Sequence, residues 1–84
     1  MRNVKLEEVA ARSDGATLVK LMKRFVDDVT GEVMFSEPHR FVIEAGDELY
    51  ARIADVDAHL AIMNYPPIAD ADVAAISAFR GVFL

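Results

Sequence analysis

Leu49, Ile53, Val56, Leu60 and Met63 recur at steps of four, three, four and three residues, which predicts an amphipathic helix over about 48–64. Asp47 is placed to cap it, and Tyr65-Pro66-Pro67 to stop it. An aliphatic ridge this regular has to be buried, inside the subunit or across an interface. Upstream, Leu18, Leu21, Met22, Phe25, Val26 and Val29 share one arc, while Lys20, Lys23, Arg24, Asp27 and Asp28 share the other. This predicts a second helix over 16–29, ended by Thr30-Gly31. Asn3 as cap, Glu7 and Glu8 in a first turn, and Leu6, Val9 and Ala10 on one face predict a short helix from Val4 to about Arg12. A strand over 2–6 is the competing reading. Asp70 or Asp72 opens a last helix through Arg80, with Val73, Ile76 and Phe79 apolar and Gly81 as its C′ residue.

Between these segments, Glu32–Ser36 and Arg40–Glu44 are β-prone runs on either side of Glu37-Pro38-His39. They predict a short hairpin near residues 33–44, which must lie on helices or pair with another strand. The expected fold class is mainly α (α+β): one small helical domain of three to four helices with that hairpin, spanning 1–84.

Composition refines this modestly. The hydrophobic fraction is 54%, but 13 of those residues are alanine, so the excess of large apolar groups is slight. Cysteine is absent, which removes disulfides, thiolate metal sites and thiol nucleophiles together. The first residues lack the apolar core of a signal peptide, and no run approaches the ~18 apolar residues of a membrane span. The expectation is a cytoplasmic protein without a membrane association. The net charge of −5 is unevenly spread: residues 1–42 carry seven basic and seven acidic groups, and residues 43–84 carry two and seven. An acidic C-terminal half disfavours nucleic acid and suits a basic protein partner.

Little in the chain carries chemistry. Asp55 and His59 sit at i,i+4 with Arg52 on the same helical edge, and are the candidates for a metal or an acid–base pair. The competing reading is a solvated charge ladder. His39, the other histidine, falls in the turn of the expected hairpin. Ala51, Ala54, Ala58 and Ala61 give the 48–64 helix a second, small-residue side. Val82-Phe83-Leu84 forms an apolar tail that either hooks a partner or folds back. No phosphate-cradling glycine loop or zinc motif is present, and no cofactor is expected.

Two local resemblances bear on function. Leu6-Glu-Glu-Val-Ala-Ala11 resembles the first helix of a LacI-type helix-turn-helix, which implies DNA binding through 4–29. It departs from that pattern where Asp14-Gly15-Ala16-Thr17 replaces the usual Gly-Val-Ser turn. Leu18 and Val19 also stand where polar base-reading side chains belong. Met63-Asn-Tyr-Pro-Pro67 followed by Ala71–Ile76 is similar to the end of small c-type cytochromes, but without cysteine no haem is attached covalently.

The reading these features favour is a non-enzymatic protein–protein interaction module: an acidic adaptor, inhibitor or accessory subunit. It is expected to self-associate as a dimer through the 48–64 helix. Leu49, Ile53, Val56, Leu60, Met63, Phe83 and Leu84 are the expected interaction residues. A DNA-binding regulator using 4–29, and a metal- or ligand-binding subunit using Asp55 and His59, are the alternatives.

Overall fold

A computed structural model describes residues 1–83, with side chains through Val82. The chain is α+β: strands β1 (Arg2–Ala11), β2 (Thr17–Val26) and β3 (Val33–Ile43) precede helices α1 (Leu49–Ile62) and α2 (Asp70–Phe83). The strands form one antiparallel meander in the order β1-β2-β3. The expected helical domain is therefore overturned, since two of its helices are strands and its hairpin is one strand.

The correction has a physical cause in each segment. On β2, Thr17, Val19, Leu21, Lys23 and Phe25 alternate with Leu18, Lys20, Met22, Arg24 and Val26. Both faces carry apolar groups, and two interleaved period-2 sets reproduce the i, i+3, i+4, i+7 spacing of a helix. On β1 the register shifts between Leu6 and Glu8, so Leu6 and Val9 reach the same face three residues apart and imitate a helical step. The segment 4–29 is thus a β-hairpin, and no helix-turn-helix exists to enter a major groove. Pro38 lies inside β3, opposite Met22, on a sheet edge where its missing N–H is tolerated.

Turn chemistry fixes the two hairpins. Asp14 accepts from the Arg12 guanidinium and the Ala16 amide, which hold its carboxyl at about 2. Asp27 accepts from the amides of Thr30 and Val29, and its pKa is lowered by those same bonds. Gly31 closes this second turn at φ +74°, a left-handed conformation that favours glycine.

The helix over 48–64 is present as α1, but Glu48 caps it by accepting from Tyr50 N and Ala51 N at 3.1 and 2.7 Å. Asp47, the expected cap, instead accepts from Glu44 N. Gly81 lies within α2 rather than just beyond its end. Leu49, Ile53, Val56 and Leu60 pack with Val4, Val19, Leu21, Phe41, Ile43, Ile68 and Ile76 in one core between the helices and one sheet face. Side chains on α1 and α2 clasp the rest of the fold. Asp57 accepts from Ile68 N, Asp72 from Leu6 N at the β1 irregularity, and Arg80 donates to the carbonyls of Glu44 and Asp47.

Element lengths decide what the helices leave bare. Strands of 10–11 residues run roughly 33–37 Å, and a 14-residue helix about 21 Å. α1 starts beyond the Ile43 end of the sheet and stops at Ile62, so the opposite end of the inner face has no helix over it.

Candidate functional site

At that end two cross-strand rows lie beyond the reach of the helices. One is Arg2–Phe25–Phe35, and the next is Val4–Lys23–Glu37. Their roof is the stretch after α1, where Asn64 takes a positive φ of 64° and turns the chain so that Tyr65 lies over the sheet. The result is a cleft of about 420 Å3 lined by Arg2, Lys23, Phe25, Phe35, Glu37, Met63 and Tyr65.

The cleft combines ring faces with cations. The Arg2 guanidinium carbon lies 5.2 Å from the Phe25 centroid and 5.9 Å from that of Tyr65, within cation–π range. Lys23 is buried although charged. Its Nζ is 3.6 Å from Met63 Sδ, 3.7 Å from a Glu37 carboxylate oxygen, and 5.8 Å from the Tyr65 centroid. A thioether is a weak acceptor and Glu37 is half-exposed, so the ammonium is only loosely partnered.

Beside the cleft runs the lower half of β3. Residues 33–38 are all exposed, with Val33 at 47%, Met34 at 60% and Phe35 at 52%. Phe25 and Val26 pair with Phe35 and Val33, so Met34 is an extra residue bulging from the edge. Elsewhere on the sheet edges the helices engage single backbone groups. Asp72 takes the Leu6 amide of β1, and Arg52 Nε donates to the Val42 carbonyl of β3. Among the described residues, no hydrogen bond from outside the sheet reaches the backbone of 33–38.

The outer sheet face is also uncovered. Its row Ala10–Leu18–Val42 floors a cavity of about 330 Å3 flanked by Lys20, Arg40 and Glu8. Glu7 pairs with Lys20 at 3.0 Å and offsets part of its charge.

The residues singled out from the sequence are distributed as follows. Leu49, Ile53, Val56 and Leu60 are all buried in the subunit's own core. Met63 alone of that ridge is partly exposed, and it lines the cleft. Phe83 ends α2; its side chain and all of Leu84 lie outside the described residues. His59 engages the backbone carbonyl of Asp55 through Nδ1 at 2.9 Å rather than the Asp55 carboxylate. Among the described residues no group of three or more histidine or carboxylate side chains is arranged to hold a metal. Arg52 leaves the expected charge ladder for Val42 and the ring of Phe41. His39 is not in a turn but on the inner face of β3. Burial lowers its pKa first, then the positive fields of Lys23, His59 and Arg52, against Glu37. The two histidines thus share one electrostatic neighbourhood.

Sequence reading misses the cleft because it treats 16–29 as a helix, which assigns Lys23 to a polar face and Phe25 to an apolar one. The available signal was the i,i+2 pairing of charge and ring in Lys23/Phe25 and Phe35/Glu37. No protein-family model, no curated protein and no solved structure matches the chain. No helix among the described residues is long and apolar enough to cross a membrane.

Proposed function

We propose that the chain is a non-enzymatic interaction module that self-associates, with the lower edge of β3 as its seam. The observation that carries this reading is the contrast along the sheet edges. Asp72 engages one amide of β1 and Arg52 one carbonyl of upper β3, while 33–38 has no such partner among the described residues and adds a run of exposed apolar side chains, Val33, Met34 and Phe35. Native proteins rarely leave such an edge open, because it templates pairing with another chain. The ridge of α1 is spent inside the subunit, so the dimer seam expected there moves to β3.

A second copy is the occupant best suited to this edge. A two-fold axis near Phe35 pairs the 33–38 edge of one copy with that of the other in a single isologous contact. Antiparallel pairing about that axis sets Val33 against Glu37, so the carboxylates of Glu32 and Glu37 do not face their copies. Pro38 ends the pairing, and the bulge at Met34 shortens it, so association is weak and concentration-dependent.

Light scattering across a concentration series tests this. The expected mass rises toward twice that of the chain, and Met34→Lys holds it at one chain. Ala58→Arg, on the exposed alanine side of α1, leaves the dimer intact. A single-chain mass at every concentration, or loss of the dimer only in Ala58→Arg, overturns the reading.

A further inference from the structure

We propose that the cleft under Tyr65 is a binding site for a small planar organic anion, an aromatic ring carrying a carboxylate. This goes beyond the interaction role: Phe35 and Glu37 turn their side chains into the cleft on the helix side of the sheet, while the proposed seam uses the backbone edge of the same strand.

Three features select this chemistry. Phe25, Phe35 and Tyr65 line an open groove of about 420 Å3, wide enough for one flat ring to lie against its aromatic wall. Arg2 has no carboxylate within ion-pair reach among the described residues, and only ring faces engage its guanidinium. Its planar fork of five N–H donors matches a carboxylate in two parallel hydrogen bonds. Lys23 adds a buried ammonium whose three donors meet only a thioether and one carboxylate at 3.7 Å. Arg2 and Lys23 against Glu37 leave the cleft at 2 − 1 = +1 in a chain of net charge −5.

Competing ligand classes fit worse. A quaternary ammonium also favours aromatic walls, but the positive charges of Arg2 and Lys23 beside those rings repel it. An aliphatic anion satisfies the cations and leaves the rings without a stacking partner. A neutral aromatic stacks but leaves the donors of Arg2 and Lys23 unused. An aromatic carboxylate uses both sets. Its ring enters beside Phe35, and its carboxylate reaches Arg2 and Lys23 in place of Glu37, which swings toward solvent.

The test is an NMR titration of the isotopically labelled full chain with 2-naphthoate and with its neutral counterpart, 2-naphthalenemethanol. The amides of Arg2, Lys23, Phe25, Phe35 and Tyr65 are expected to shift with 2-naphthoate. The neutral compound should bind at least about tenfold more weakly, as expected for losing a charge-assisted contact. Arg2→Gln, at an exposed position, and Lys23→Met, which keeps the packed stem, should each weaken 2-naphthoate by about tenfold or more. Arg2→Gln gives the reading should Lys23→Met fail to fold. No shifts at millimolar 2-naphthoate, shifts confined to another surface, or equal affinity for the neutral compound overturns the proposal.

Discussion

Leu60, at zero exposure, joins Leu21, Ile43 and Ile76 as the most deeply buried side chains. Leu60→Ala removes methyl groups from a small close-packed core and is expected to cost about 2–5 kcal/mol by chemical denaturation. In an 84-residue domain such a loss takes a large share of total stability. His39 gives a different residue-scale expectation. Its folded pKa lies below the ordinary value of 6.5 because burial and the charges of Lys23, His59 and Arg52 disfavour the imidazolium. The unfolded state therefore binds a proton more readily. The stability tied to neutral His39 is present above about pH 6.5 and is lost as the pH falls through the depressed folded value. Urea midpoints should drop between pH 7.5 and pH 5, and the drop should shrink in His39→Gln. An identical pH profile for the variant would count against this assignment. Residues of this kind are legible in the sequence only in part. The α1 ridge announces its own burial, whereas the environment of His39 depends on a cross-strand neighbour and a helix face remote in sequence.

At the scale of elements, the two hairpins depend on turns whose geometry is explicit. Gly31 has φ +74°, and a Cβ built on it meets nothing within 4 Å, so Gly31→Ala is penalised by backbone strain alone. The expected cost is about 1 kcal/mol, or about 4–8 °C in melting temperature for a domain of this size. Removing the carboxylate that caps α1, in Glu48→Ala, is expected to cost about 1 kcal/mol as well. The helices after residue 47 were legible because one face of each is buried and the other wet, so the 3.6-residue period appears undisguised. The strands before it were legible only in part: the runs on either side of Pro38 read as β, and a strand over 2–6 stood as the competing reading for β1. β2 is apolar on both faces, β1 contains an irregularity that resets its alternation, and β3 holds a proline that reads as a turn. Each device erases the period-2 signal that would have declared a sheet. The cleft was lost with it, because Lys23 and Phe25 share a face only in an extended chain.

The whole molecule follows from a mismatch. Strands over half again as long as the helices give a body of 43 × 20 × 18 Å with one sheet end unroofed. Charge divides along the same line. The sheet-forming residues 1–42 are neutral in sum and the helical half carries the full −5, so the two cations of the cleft lie on the less acidic half of the protein. Edge and cleft lie together at this end, while the buried ridge of α1 holds the opposite end closed. The most direct measurement is backbone amide hydrogen exchange at dilute and at concentrated protein. The expected result is protection of residues 33–37 that grows with concentration, with exchange in α1 unchanged. Rates at 33–37 that do not depend on concentration, or concentration-dependent protection in α1 instead, would contradict the assignment of β3 as the seam.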